Sequence, residues 1–450
     1  MSLWERIFQG MVAFSSTTVI TNLSGVLQAV LTFRYLTVDE YGRLTFMLSL
    51  YNAAATFLDM GMGSVFTSEV ARARGTGQNG MVRGLLSLYG RLLLGTGASL
   101  GLLFGGLGWH QREILWAILG AYLFASALNR GLEALFLSHT LYRRSAAQPV
   151  ARSLSRLALL ATLPWWKPGS ALAGVALTYP LMEFFTFIFS LWMAWHTLRF
   201  LLTVSKEQVD LGKLLQQQGI YVMFVVPIKH VQDELPVWLL KMLSGDMAVG
   251  LYGAAHKAFT LLYAFLAPLE TILFPLVSEQ AAQAPERIRA ALRQAQKYAF
   301  WLSLALTAFL LPLSPWLISL MAGQAYMQAT SVLQWLLGYL ILLVLLQSHR
   351  PILYALGEQR WLLSLYVLNF LTYAPLLWLG IRWNGAVGAA QALILHGALF
   401  IFVRLWVLRR LAPHLWVSPL TVFQVEEFDR QLFRQIKESF QEGILVRWWR

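Results

Sequence analysis

Apolar residues run along this chain in blocks longer than a soluble core uses. With roughly 20 mostly apolar residues as the length of one bilayer crossing, blocks fall near residues 8–34, 42–69, 82–107, 113–141, 149–166, 170–197, 217–243, 247–279, 291–312, 328–356, 361–382 and 385–408. The pattern predicts an all-α polytopic membrane protein with about twelve transmembrane helices. The second, fourth, eighth and tenth blocks are long enough to tilt or to project into water.

Between the blocks, positive charge alternates. Even-to-odd connections carry Arg72, Arg74 and Arg83; Arg143, Arg144, Arg152 and Arg156; Arg199, Lys206 and Lys213; Arg287, Arg289, Arg293 and Lys297; Arg360; and Arg409 and Arg410. The opposite connections carry only Arg34, Arg43, Arg112, Lys167 and Arg382. Basic loops stay in the cytoplasm, so both termini are expected there. The same rule accounts for the net charge of +13, and no nucleic-acid partner is needed to explain it. The amino terminus, MSLWERIFQG, leads straight into an apolar block and reads as an uncleaved first span.

Composition agrees. With 57% hydrophobic and 13% charged residues among 450, and a mean hydropathy of +0.57, the chain has too few polar groups to cover a soluble globule of its size. It has no cysteine, which excludes disulfides, thiolate chemistry and cysteine metal sites. No histidine pair recurs at i, i+4 with an acid, so no metal site is expected.

The two halves resemble each other. YGRLTFMLSLYNAAATFLDMGMGSVFTSE (41–69) and LYGAAHKAFTLLYAFLAPLETILFPLVSE (251–279) align Tyr41-Gly42 with Tyr252-Gly253 and Glu69 with Glu279, at an offset of about 210 residues. A duplicated bundle of parallel topology follows: a six-helix lobe over 1–197, a cytoplasmic linker over 198–216 containing SKEQVDLGK, and a second six-helix lobe over 217–411. Residues 412–450 form an amphipathic tail, basic at its closing VRWWR, in which Val425, Phe428, Leu432, Ile436 and Phe440 recur at helical spacing. This predicts an amphipathic helix lying on the membrane surface among its lipids. Two lobes joined by a linker suit alternating access, with the substrate path between them.

Several of these segments carry a family likeness. RYLTVDEYGRLTF (34–46), FLDMGMGSVFTSEVAR (57–72), AVGLYGAAHKAF (248–259), SPWLISLMAGQAYMQA (314–329) and NGAVGAA (384–390) together resemble the polysaccharide and oligosaccharide-lipid flippases of the multidrug/oligosaccharidyl-lipid/polysaccharide exporter superfamily. Met60 and Met62 stand where the family usually has leucines. The resemblance implies a lipid-linked glycan substrate, such as an undecaprenyl-pyrophosphate-linked sugar, moved across a bacterial cytoplasmic membrane. It also implies a cationic central cavity, and an ion gradient or the membrane potential as the energy source. Polysaccharide assembly enzymes are the implied protein partners. The chain has no GxxxxGK[ST] phosphate loop, which agrees with a source of energy other than nucleotide. No cofactor is expected beyond a coupling proton or sodium ion.

Charged groups inside apolar spans are costly, so they mark either structure or function. A pyrophosphate needs cations along its path. Arg34 and Arg43 near outer span ends, and Arg91, Arg130, Lys229 and Lys257 deeper, are the expected head-group contacts. For Arg130 a pair with Glu133 at i+3 is the structural reading; Arg91 has no acid near it in its own helix. Lys257, in the motif-matching AVGLYGAAHKAF, reads equally as an ion-pair partner between lobes. Asp59, Glu183 and Glu270 stand in apolar spans without adjacent bases and are expected to couple ions or to be held by another helix. His396 reads as a packing residue, and Lys241 and Arg404 as snorkelling side chains.

PIKHVQDELPVW (227–238) concentrates charge in the seventh span. Lys229 with Asp233 and His230 with Glu234 are i, i+4 neighbours, and Pro227 and Pro236 are expected to kink the helix there. The stretch reads either as two self-neutralising pairs or as a bending gate in which His230, Asp233 and Glu234 answer the coupling ion. A multidrug exporter of the same superfamily is the nearest alternative. A membrane-embedded glycan polymerase or glycosyltransferase would need a sizeable outer loop to hold an acceptor, and every outer loop predicted here is short.

Overall fold

A computed structural model describes residues 3–424, apart from residues 60 and 206 and the segments 167–168, 210–211, 213–219, 264–284, 348–358 and 414–415. Glu270 and the amphipathic tail pattern at 425–440 lie outside the described residues. Eleven α-helices follow in order: α1 Leu3–Tyr35, α2 Val38–Ala55, α3 Met62–Gly75, α4 Asn79–Gln111, α5 Ile114–Ser138, α6 Tyr142–Trp166, α7 Ala171–Thr203, α8 Ile220–Tyr263, α9 Pro285–Ala322, α10 Ala329–Gln347 and α11 Gln359–Leu411. Two 3₁₀ turns, η1 Gln324–Tyr326 and η2 Pro419–Phe423, complete the described structure.

Local chemistry sets several of the boundaries. Thr37 and Glu40 close a reciprocal capping box at the start of α2, with the Glu40 carboxylate accepting from the Thr37 amide at 2.9 Å. This satisfies amides that the first turn would otherwise leave bare. Ser170 caps α7 by accepting from the Ala173 amide at 3.1 Å.

The expected second span is broken. The helix stops at Ala55 and restarts at Met62 after Gly61, whose φ of 75° favours glycine. The break leaves the Leu58 carbonyl without a helical partner, and the Thr96 hydroxyl of α4 donates to it at 2.7 Å. Elsewhere expected spans run together. α8 continues through Gly245 (φ 80°) and α11 through Asn384 and Gly385, so helices and expected crossings do not correspond one to one. The kink expected at the prolines lies elsewhere: the backbone keeps helical angles at Pro227 and Pro236 and leaves them at Gly245. Five of the described helices are long and apolar enough to cross a membrane.

Helix packing gathers α1 to α7 into one set, through α1 with α6, α4 with α5, and α5 and α6 with α7. It gathers α8 to α11 into a second. The two sets meet chiefly where α2 lies along α8. There the Tyr-Gly repeats meet: a Cβ on Gly42 would collide with the carbonyl of Asp246, one on Gly250 with that of Val38, and one on Gly253 with Thr45 at 2.8 Å. The glycines therefore let two helix backbones touch. Around them Phe33, Tyr41 and Tyr326 form an aromatic trio with centroids 4.7 to 6.1 Å apart. The Tyr326 hydroxyl donates to the carbonyls of Leu36 and Thr37, at 2.9 and 3.1 Å. A single core cluster runs through both sets.

Candidate functional site

A chamber of about 730 Å³ opens inside the first helix set, walled by Tyr51, Tyr89 and Tyr122 and carrying Asp59, Arg130, Glu133, Arg152 and Glu183. The helix break places Asp59 here. Its carboxylate bridges Arg130 at 3.1 Å and accepts from the Tyr89 hydroxyl at 3.1 Å and the Gly61 amide at 3.3 Å. The ion-pair partner of Arg130 is thus Asp59 across the bundle; the pair expected with Glu133 is corrected, because the helix break presents Asp59 directly to α5.

Glu183 is 2% exposed and pairs with Arg152 of α6 at 2.8 Å. It also accepts from Asn129 at 2.6 Å. A carboxylate this deep is tolerable only when so compensated. Of the two readings of Glu183, coupling an ion or being held by another helix, the structure shows the second, through Arg152 of α6 and Asn129 of α5. Tyr51 stacks on Tyr122 at 3.6 Å and donates to Ser126 at 2.8 Å.

One turn beyond Arg152, Arg156 turns toward the junction between the sets. It is buried, donates to the side-chain amide oxygen of Gln28 at 2.8 Å and lies 4.0 Å over the ring of Tyr179. Gln28 is itself fixed by donating to the Ser153 carbonyl at 2.8 Å. From the second set, α8 meets α1 where Leu261 lies against Gly25, and half-buried Lys257, one turn earlier on the same face, is directed to the stretch of α1 that carries Gln28. Two cations from opposite sets thus face one region, and neither has a carboxylate ion-pair partner among the described residues.

Within the second set, Lys229 and Asp233 pair at 2.7 Å beside a smaller cavity of about 150 Å³. Its wall includes Gln232, Asn369, Tyr373, His396 and Arg404. His396 shares a hydrogen bond with Thr372 at 2.9 Å and stacks on Phe400. Glu234 reaches across the junction, where it accepts from Asn52 of α2 at 2.7 Å. Near it Trp238 donates to Ser49 at 3.0 Å. His230 is half-buried on the same helix.

At the α2 end of the seam, Asp246 pairs with Arg43 at 3.5 Å and with Lys241. Lys241, expected to snorkel, instead holds a seam carboxylate. Arg34 is exposed in the last turn of α1. Arg91 stands on an exposed face of α4, lines none of these cavities, and returns its Nε to the Ser87 carbonyl at 3.3 Å.

Arg152 and Arg156 are the residues missed as site groups, having been counted with a basic loop. The signal was their i, i+4 spacing in ARSLSRLALLATL (151–163), which puts two arginines on one face of a helix already under way. Gln28 and Asn52 gave no signal, since single amides in apolar blocks are common.

Two helix sets with buried polar chambers, in a chain with five described helices long and apolar enough to cross a membrane, define a multi-pass membrane protein. A family model described as polysaccharide biosynthesis protein matches residues 7–280, more than half of the chain, and the chain belongs to that family. A second model, MatE, matches residues 232–379. Among solved structures, a multidrug resistance MATE family transporter of the MOP superfamily in an inward-facing conformation is similar over 90% of this chain and 98% of its own, with 14% identity and a TM-score of 0.70. A MATE structure in a bent conformation covers 90% and 95% with 15% identity and a TM-score of 0.64. A MOP superfamily transporter from Pyrococcus furiosus, described as having a binding pocket of reverse polarity, covers 90% and 96% with 15% identity and a TM-score of 0.63. No curated protein matches the chain.

Proposed function

We propose that this transporter is a flippase for a lipid-linked oligosaccharide, an undecaprenyl-pyrophosphate-linked or related glycan, working by alternating access across a bacterial cytoplasmic membrane. The observation that carries the reading is the pair Arg156 and Lys257, two cations from opposite helix sets directed to one stretch of α1, Arg156 through Gln28 and Lys257 beside the contact of Leu261 with Gly25. A pyrophosphate dianion is expelled from low dielectric unless cations meet it, and an organic cation would be repelled there. The lobes are 1–197 and 217–411, with 198–216 as the linker, and the positive-inside orientation puts the α2–α8 seam on the outer side. With that seam closed, the junction is reached from the cytoplasm.

The ion-coupling groups in this reading are Asp59 with Arg130, Glu183 with Arg152, and Lys229 with Asp233. Each is a pair in which protonation or a sodium ion competes with the arginine or lysine. Glu234, bonded to Asn52, and the neighbouring His230 sit where the lobes separate, as a gate requires. Polysaccharide assembly enzymes supply the substrate.

The second reading, an exporter of organic cations, is favoured by the first chamber, where three tyrosines and three carboxylates line one space. Reconstitution separates the two. In vesicles of purified protein, flipping of a fluorescent undecaprenyl-pyrophosphate sugar is expected to fall about tenfold in Lys257→Gln and in Arg156→Gln, the loss of one charged hydrogen bond. Flipping unchanged in both variants, or ethidium transport with no lipid flipping in the wild type, overturns the proposal.

A further inference from the structure

Far from the junction, the chain beyond α11 folds back onto α9. Buried Lys297 donates to the carbonyl of Gln424, and the Trp301 indole donates to that of Val422 at 2.9 Å. Phe423 packs edge-on against Phe300 and Trp301, with centroids 5.6 and 6.1 Å away. Two side-chain donors thus hold the backbone of a strap, residues 417–424, against a long helix. Its apolar side chains are not consumed by that docking: Leu420 is 70% exposed and Phe423 61%. Nearby Trp301 is half-exposed, and Trp416 sits under Arg409. Exposed aromatics beside cations are the composition of a membrane–water interface.

Between the strap and the first turns of α9 lies a separate cavity of about 350 Å³, lined by Glu286, Arg289, Arg293, Ser418 and Thr421 with Ala290 and Val417. Arg289 and Arg293, at i, i+4, share one face of α9, while Ser418 brings a hydroxyl from the strap and Thr421 tightens it by donating to the Ser418 carbonyl at 2.6 Å. Glu286 leaves the lining one positive charge in excess. Guanidiniums and a hydroxyl converging beside an interfacial apolar patch fit a phosphate ester attached to acyl chains.

We propose that this cavity binds the head-group phosphate of an anionic phospholipid, whose chains run beside Leu420 and Phe423, so that the lipid bridges α9 and the C-terminal strap. Arg289 and Arg293 hold the phosphate oxygens, and Ser418 closes on them from the strap turn that the Thr421 hydroxyl holds in place. The site is independent of the transport pathway and of the substrate it carries. Free phosphate shares the head-group chemistry but lacks the chains that would lie on the exposed patch.

The absence of cysteine permits a clean test. Full-length Leu420→Cys, labelled with an environment-sensitive dye, is placed in bilayer discs of phosphatidylcholine with increasing phosphatidylglycerol. Phosphatidylglycerol is expected to shift the dye emission to the blue in a saturable way, and Arg289→Gln with Arg293→Gln to raise the half-saturating fraction about 30-fold, at about 5-fold per basic group. Ser418→Ala with Thr421→Val, which leaves α9 untouched, is expected to weaken the response in the same direction and stands in if the arginine variant does not fold. A response unchanged by the variants, or reproduced by inorganic phosphate in phosphatidylcholine discs, overturns the proposal.

Discussion

Gly42 of α2 lies so close to the carbonyl of Asp246 in α8 that no Cβ fits between them. In the proposed alternating-access cycle, backbone contact of this kind belongs to one arrangement of the helix sets and is lost when they part. A bulky residue there props the seam open. With spin labels at Asp39→Cys and Met247→Cys, Gly42→Leu is expected to lengthen the distance across the seam by at least about 2 Å, since interhelical spacing follows the contact side chains. Transport should fall because one end no longer closes. A distance distribution matching the glycine protein would show that the seam is not a closure.

Arg156 is recognised by shape as well as charge. Its planar group spans Gln28 and the Tyr179 face at once. Arg156→Lys keeps the charge and loses both the fork and the stacking. Flipping is expected to drop about tenfold with little change in melting temperature, as one charge-assisted bond of about 1.5 kcal/mol is lost. Full activity in the lysine variant would leave charge alone as the requirement.

Glu183 and Arg152 form the most deeply buried ion pair described. Removing one partner strands the other, so Glu183→Leu is expected to lower stability by about 3 kcal/mol. Adding Arg152→Met, which replaces the pair by apolar groups of similar size, is expected to recover more than half of that loss. Thermal unfolding in detergent measures both. Additive losses in the double variant would refute the pairing.

Asp233 behaves differently because its side chain is 53% exposed. Water screens its pair with Lys229, so Asp233→Asn is expected to change stability by less than about 1 kcal/mol. If the pair responds to the coupling ion, the dependence of transport on proton or sodium gradients changes while the melting curve stays in place. A variant that kept full ion dependence would remove Asp233 from the coupling set.

Legibility in the sequence followed the distance over which information travels along one helix. The all-helical character comes from periodicity, which the chain carries openly. The Tyr41-Gly42 and Tyr252-Gly253 repeat was visible as symmetry. That the two copies touch was not, because contact between helices 200 residues apart leaves no local mark. The pairs were misjudged for the same reason. Lys229 with Asp233, four residues apart, could be read directly; Asp59 with Arg130 and Glu183 with Arg152 join different helices. Arg152 and Arg156 were hidden by their neighbours, since a run that begins with Arg143 and Arg144 looks like a loop until the helix is seen to start at Tyr142.

The Tyr326 hydroxyl, which reaches from η1 to the carbonyls of Leu36 and Thr37, makes the end of α1 a shared structure. Carbonyls at a helix terminus need donors from somewhere, and here the other half of the molecule provides one. In the proposed alternating-access cycle water takes over that bond as the halves separate, so the turn between α1 and α2 registers from within one half whether the other is in place. A vibrational probe on the Leu36 carbonyl would therefore report the working cycle without a label on either moving surface.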